Sequence, residues 1–473
     1  MRWIPWGGLL QAWRESTAHS MFANKADVYS IINKETGDNV IKKADNFYQL
    51  AGYVCVLLAS SNALGAGFQI SENSVTGLGR AFAGSGVAGD DASDIFYNPA
   101  GMLLTEEAAF QAGLTLISSK ADFTSKGSTR RFITPGGPVT VPSDGKDDDG
   151  GENSAVPNFY LLSPNYGKVK YGLAVTSPFG LATSYNKGWV GRYHALDTEL
   201  LTIDINPSVA YQVNDRFSVG AGISAQYAEA TLSQALFLGP TAPVDGKAEV
   251  TGDNWEWGFN LGLMYEMPGG SRLGLGYRSE MEHDLGGERK ISGTGVADGK
   301  VDGSAFVNLP DTVYLSGYFP VNNKLALLAG ARWTQWNKFE ELRVAFDDGS
   351  PDAVTDESWE DVWMLSLGAN YDLNQKWTLR GGLAYDQSPV PDNEHRTPRI
   401  PDADRTWLSL GASYQLNAGV SIDVGYAHLF SDDGEVNNTV DLISRAPGAA
   451  TDNLKGGFSS SADLLGVQVV FKF

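Results

Sequence analysis

The sequence predicts an all-β transmembrane protein: a 14-stranded antiparallel outer-membrane β-barrel with a small helical N-terminal hatch plugging the lumen. Three observations carry that expectation. From Ala108 onward, segments of about ten residues alternate in character along the chain. Their connections alternate between tight turns and long polar loops. The last segment places Leu465, Val467, Val469, Phe471 and Phe473 at every second position, so one face of it is wholly apolar. Lipid-facing and lumen-facing side chains alternate along a barrel strand, and such a barrel has short turns on one side and long loops on the other.

Composition agrees and excludes several classes. The 473 residues include 55 Gly, 12 Trp, 19 Tyr and 21 Phe. No apolar run reaches the ~18 residues that read as a membrane-spanning helix. The mean hydropathy of -0.20 is that of a soluble protein and equally that of alternating strands. A net charge of -21 excludes nucleic acid as a partner, because phosphate contact needs a basic face. The single cysteine, Cys55, leaves no CxxC metal site and no cysteine nucleophile, so no cofactor and no metal are expected.

At the N-terminus, Lys42 and Lys43 precede the apolar stretch 50–59, which is followed by Ser60-Ser61-Asn62-Ala63-Leu64-Gly65. Positive, apolar, then small is the order of a secretory signal, and the apolar part is too short to span a bilayer. Residues 1–65 are therefore expected to be an extension plus signal peptide that is removed, with the polar residues 1–41 reflecting an over-extended start. A buried strand or helix of a soluble domain is the competing reading of 50–59. Cys55 lies inside the apolar stretch rather than at its end, so no lipid anchor is indicated.

Residues 66–107, rich in Gly, Ala, Ser and Asp, are too few and too polar to fold alone, and are expected to fill a barrel lumen as a hatch. The barrel then occupies 108–473. Its fourteen segments begin near Ala108, Ala155, Lys168, Leu200, Arg216, Trp255, Ser271, Ser304, Lys324, Asp361, Lys376, Arg405, Gly419 and Ala462. Asn214-Asp215, Met267 to Gly270, Val321-Asn322-Asn323, Leu373-Asn374-Gln375 and Leu416-Asn417-Ala418 read as tight turns, and 120–154, 283–303, 345–360 and 430–461 as long loops. Acidic runs such as 144–149 read as solvated loop surface, with a calcium site as the alternative. Trp255, Trp257, Trp333, Trp336, Trp359, Trp363, Trp377 and Trp407 fall near strand ends, where an interfacial girdle belongs. The apolar face of the last strand would invite aggregation in water but is at home in lipid.

Gly67-Phe68-Gln69, Gly77-Leu78-Gly79-Arg80-Ala81, Asp90-Asp91-Ala92-Ser93 and Asn98-Pro99-Ala100-Gly101 follow one another in the hatch segment. Further along come Ser177-Pro178-Phe179-Gly180, Trp189-Val190-Gly191-Arg192-Tyr193, Leu309-Pro310-Asp311, Trp333-Thr334-Gln335-Trp336 with Phe339, and Ile400-Pro401-Asp402 with Arg405 and Trp407. This series resembles the FadL family of outer-membrane transporters for long-chain fatty acids and aromatic hydrocarbons, over nearly all of 66–473. The resemblance implies capture of a hydrophobic substrate at extracellular loops, transfer to an apolar pocket, movement of the hatch and lateral release into lipid, without catalysis or an energy source. Independently of the family, the terminal Phe473 with its alternating strand resembles the signal by which outer-membrane barrels are recognised for insertion. The expected partners are a hydrophobic small molecule, outer-membrane lipid and the barrel insertion machinery, and the expected state is a monomer.

Phe68 is a candidate for ligand contact; its alternative is a packing anchor for the hatch. Arg192 and Arg405 are candidates for pairing a carboxylate head group, against internal ion pairs with Asp90, Asp91 or Asp94. Gly79, Arg80, Asn98, Pro99 and Ala100 are candidates for seating or gating the hatch, Asn98-Pro99-Ala100 as a tight turn and Arg80 as a tie to inward carboxylates. Neither a GxSxG elbow nor an HExxH motif is present, and the chain holds five His, so no enzyme is expected. An alkane or monoaromatic channel and a sealed structural or adhesive barrel remain the competing functions.

Overall fold

The computed structural model describes residues 67–473 apart from Pro240, Thr241, Pro243, Val296, Ala297 and Ser444. The expected leader, with Lys42, Lys43 and Cys55, lies outside the described residues.

A closed ring of fourteen antiparallel strands forms among the described residues. They are β1 (Ala109–Ser125), β2 (Asn153–Leu162), β3 (Val169–Thr176), β4 (Asp197–Asn214), β5 (Phe217–Leu236), β6 (Gly246–Glu266) and β7 (Arg272–Arg278). The ring continues with β8 (Thr312–Pro320), β9 (Leu325–Thr334), β10 (Val362–Asp372), β11 (Trp377–Asp386), β12 (Arg405–Asn417), β13 (Val420–Ser431) and β14 (Ala450–Lys472). Each strand pairs with its neighbour in the chain, and β14 returns to β1 in continuous register from Ala109↔Lys472 to Ser125↔Gly456. Closure removes the sheet edges that hydrocarbon cannot satisfy.

Six connections are short (163–168, 215–216, 267–271, 321–324, 373–376 and 418–419) and seven are long, the short ones lying at the same end as both ends of the ring. Asparagine makes several of the short turns. The side-chain oxygen of Asn214 accepts from the backbone N–H of Arg216 and Phe217, and Asn322 and Asn374 repeat the arrangement. β5 and β6, at 20 and 21 residues, are about twice the length a membrane requires, so their far halves stand out with the loops.

Two expectations need correction. The eighth segment does not begin at Ser304: residues Gly299–Leu309 form a loop strand paired with Met281–Ser292, and the wall strand starts at Thr312, after Pro310 has interrupted the ladder. Nor do all the tryptophans form a girdle. Trp255, Trp257, Trp363 and Trp377 face outward, but Trp336, Trp359 and Trp407 are buried inside.

The outer face is apolar along whole strands, with Leu365 and Leu367 on β10 and Leu465 and Val467 on β14 exposed. The inner face carries Gln111, Asn158, Asp204, Asn206, Gln226 and Asn260. Leu367, central in β10 and 69% exposed, tests the assignment. Replacing it with Arg is expected to lower the stability of the lipid-embedded barrel by about 2–4 kcal/mol, the cost of a cation at the bilayer midplane. Urea titration in bilayers reads this out, and no loss would place Leu367 away from lipid.

Candidate functional site

Residues 67–107 lie inside the ring, almost entirely buried, as two one-turn helices, α1 (Val75–Leu78) and α2 (Asp94–Tyr97), and a 3-10 helix, Pro99–Leu104. So short a segment cannot hold itself by helix propagation; side-chain hydrogen bonds do it. Ser74 caps α1 by accepting from Gly77 N–H at 2.9 Å and donates to the Asp91 carboxylate, which also accepts from Thr76 and from the backbone N–H and hydroxyl of Ser93. Asp94 accepts from the backbone N–H of Gly86 and Gly89 at 3.0 and 2.9 Å.

The sequence-selected hatch residues are the ones that touch the wall. Arg80 donates to Asp90 at 2.5 Å, and Asp90 also receives Arg380 of β11 at 3.2 Å. Burial alone would push the Asp90 carboxyl up, but Arg80 and Arg380 beside it hold it well below the usual carboxylate range. Asn98 donates to Leu263 O of β6 at 2.9 Å and accepts from Ala100 N–H at 3.1 Å, with Pro99 opening the 3-10 helix. The wall makes room with glycine. A Cβ on Gly276 would sit 1.9 Å from Tyr97 O, and one on Gly79 would sit 2.8 Å from Gly411 Cα of β12.

Phe68 is 2% exposed, at the centre of an aromatic cluster. Its ring centroid lies 4.7 Å from Trp336, 5.4 Å from Phe339, 5.6 Å from Trp359 and 6.2 Å from Phe179. Trp336 and Phe339 were visible in the sequence as a motif, but nothing in it showed that they and Trp359 meet Phe68. Gly67 N–H donates to Asp402 at 2.9 Å. Burial pushes the Asp402 carboxyl up to about 6, against the pull of Arg405.

The same stretch of hatch meets an interruption in the wall. β3 pairs with β4 up to Thr176↔Asp204, and pairing resumes one residue out of register at Gly180↔Leu201, so Ser177-Pro178-Phe179 bulge inward. The hatch adds to this bulge as a strand: Ile70 N–H donates to Pro178 O, and Gly180 N–H to Phe68 O, both at 2.9 Å. β2 pairs with β3 only from Phe159↔Val175 to Leu162↔Gly172. Among the described residues, Asn153 to Asn158 of β2 therefore have a strand partner on the β1 side alone. At this gap the Asn158 amide is fully buried, with neither of its polar atoms bonded to protein.

The two arginines selected for head-group contact lie elsewhere and are paired. Arg192, in the loop after β3, holds Asp144 through two contacts of 3.0 and 2.9 Å and Asp245 at 2.8 Å. Its partners are thus loop carboxylates, not Asp90, Asp91 or Asp94. Arg405 opens β12 and pairs with Asp386 at 3.0 Å and Asp402 at 3.5 Å. Phe473 is exposed beyond the end of β14, and its backbone N–H donates to Ala108 O at 3.0 Å. Among the described residues no group of three or more His, Cys, Asp or Glu is placed to hold a metal ion.

A cavity of about 230 Å³ opens among the long loops, lined by the far ends of β5 and β6 and by residues of the loops that follow β7, β9, β11 and β13. Val250, Leu342 and Phe346 on its wall pack against the apolar cluster that contains Phe68, and Val344 belongs to both. Cavity, Phe68 cluster, inward bulge and wall gap thus follow one another through the molecule.

A closed apolar-faced barrel with a polar lumen and an internal plug is an outer-membrane protein. Comparison with known proteins places it within that class. Residues 56–473 match the family model described as outer membrane protein transport protein (OMPP1/FadL/TodX), and the chain belongs to that family. It is 33% identical over 423 residues to a long-chain fatty acid transport protein of Escherichia coli O6:H1, covering 81% of this chain and 91% of that one. It is 32% identical over 411 residues to outer membrane protein P1 of Haemophilus influenzae, covering 79% and 88%. Among solved structures, a Pseudomonas aeruginosa FadL homologue superposes with a TM-score of 0.77 at 25% identity, over 86% of this chain and all (100%) of that one. The Ralstonia pickettii toluene transporter TbuX, at 19% identity and a TM-score of 0.59 over 84% of this chain and 100% of that one, shares the fold.

Proposed function

We propose that this chain takes up long-chain fatty acids passively across the outer membrane, by binding among the loops, displacement of the hatch and sideways release into lipid. The observation that carries the reading is the wall gap between β2 and β3. It lies where the inward bulge is stitched to Phe68 and Ile70, so a ligand that displaces the Phe68 ring disturbs the segment beside the opening. An apolar molecule that reaches this point leaves more readily into hydrocarbon than into water. The chain is proposed to act as a monomer. It meets membrane lipid on the outward leucines and the insertion machinery through the strand ending in Phe473. No cofactor enters the process.

The aromatic cluster favours a second reading, a monoaromatic or alkane ligand, because its ring faces suit a small planar molecule as well as an alkyl chain. Direct binding of labelled palmitate and of toluene to the detergent-purified protein, with mass spectrometry of its organic extract, separates the two. Saturable palmitate binding is expected. Toluene or alkane binding alone would transfer the chain to hydrocarbon uptake, and binding of neither would make it a sealed structural or adhesive barrel.

A further inference from the structure

Nearly every buried basic side chain of the described residues sits against an aspartate: Arg80 and Arg380 on Asp90, Arg130 on Asp452, Arg192 on Asp245, Arg278 on Asp204, and Arg332 and Arg405 on Asp386. Two depart from the rule. Lys170 is held by backbone carbonyls, Thr105 O and Glu107 O. Arg399, in the loop between β11 and β12, is the other. It is 8% exposed and its guanidinium donates only to neutral acceptors: Gln234 Oε1 at 2.9 Å, Thr198 Oγ1 at 3.2 Å and Ser233 O at 3.4 Å.

These contacts use three of the five N–H hydrogens of a guanidinium and none of its charge. A buried cation without a counter-ion is costly, and proteins elsewhere avoid it. Burial lowers the Arg399 pKa to about 10, so the group remains charged at neutral pH. Glu357, the larger influence of opposite sign, is itself fully buried and its carboxyl is pushed up to about 8, so at neutral pH it is mostly protonated, and Asp197, the smaller one, already holds Lys247 at 3.1 Å. Arg399 also lines the loop cavity, together with the apolar run of Leu342, Val344 and Phe346 and with Arg289, which lies 3.8 Å from the Phe346 ring centroid and is already paired with Asp348 at 3.4 Å. The cavity thus sets an arginine that contacts only neutral acceptors beside an apolar run, the complement of an amphiphile with an anionic head.

We propose that Arg399 is the head-group reader of this protein: a fatty carboxylate binds in the loop cavity with its oxygens on the Arg399 guanidinium and its alkyl chain along Leu342, Val344 and Phe346, toward the Phe68 cluster. This rests on the uptake reading and refines it, giving the loop cavity selectivity for an ionised acid over a neutral molecule of the same length. Arg192 and Arg405, whose carboxylate partners are already in place, keep the structural pairs described above.

The test is equilibrium binding of palmitate and of methyl palmitate to the full chain in a non-ionic detergent, with wild type, Arg399→Gln, Arg399→Lys and Leu342→Trp. Wild type is expected to prefer palmitate over the ester by about tenfold to a hundredfold, the range of one charge-assisted contact. Arg399→Gln should abolish that preference by weakening palmitate alone, Arg399→Lys should restore part of it, and Leu342→Trp, which fills the cavity from the apolar side, should weaken both ligands together. If wild type prefers palmitate and Arg399→Gln retains that preference, the head-group assignment is overturned while uptake stands. Equal binding of acid and ester by wild type overturns it too, and so does undiminished palmitate binding by Leu342→Trp, which remains informative if Arg399→Gln does not fold. Failure of wild type to bind either ligand would instead remove the uptake reading on which the inference rests.

Discussion

A protein lacking residues 66–107 is expected to fold as a barrel and to leak small polar solutes that the full chain excludes. The ring is closed by its own ladder, β1 against β14, and none of its strand pairings needs the hatch. Part of what the hatch covers is polar, since Arg278 with Asp204, Arg332 with Asp386, and Arg380 lie on inward faces and would be hydrated, and the apolar wall residues it leaves, Tyr160, Tyr314 and Trp407 among them, are held by strands that pair without it. A fourteen-stranded ring without a plug encloses a water-filled channel. The expected result in planar bilayers is therefore a change from silence to steady conductance, with flux of small sugars into liposomes rising by orders of magnitude. A barrel of native heat-modifiability and unchanged conductance would refute the plug.

Asp90→Asn is expected to free the hatch without removing it. A single carboxylate oxygen of Asp90 receives Arg80 from the hatch, Arg380 from β11 and Asn370 from β10. Asparagine keeps the size and removes the charge, leaving two buried guanidinium groups side by side, with Asp423, at 3.9 Å from Arg380, the nearest remaining partner. Breaking a buried pair in this way costs about 3–5 kcal/mol. Because the barrel does not depend on it, the loss should fall on hatch docking, raising amide exchange of residues 75–98 by a hundredfold or more at about 1.4 kcal/mol per factor of ten. The double variant with Arg380→Gln should recover part of the protection, since one unpaired cation is removed. Exchange as slow as in wild type would show that Asp90 does not hold the hatch.

The wall was the most legible part of this molecule because strand periodicity and turn chemistry are local. Asn214, Asn322 and Asn374 mark their turns by bonding the backbone two and three residues on, and those connections were read directly. The segment at Ser304 misled because a loop strand alternates like a wall strand, and only its partner, Met281–Ser292, reveals where it belongs. The interior was harder to read, since its contacts join residues hundreds of positions apart. Trp336 and Trp359 resemble girdle tryptophans until Phe68 is seen between them. Arg192 and Arg399 are both arginines in polar loops, and nothing near them in sequence says that one finds Asp144 and Asp245 while the other finds only neutral oxygens.

The free side of β2 has one further consequence. Hydrocarbon does not tolerate an open sheet edge, yet Asn153 to Asn158 present one. With the hatch in place, the bulge is held inward by Phe68 and Ile70. The hatch thereby keeps residues 177–179 off the free edge of β2, where the ladder would otherwise continue. The hatch would then be as much a spacer as a stopper: it props open the doorway that its own movement is proposed to serve.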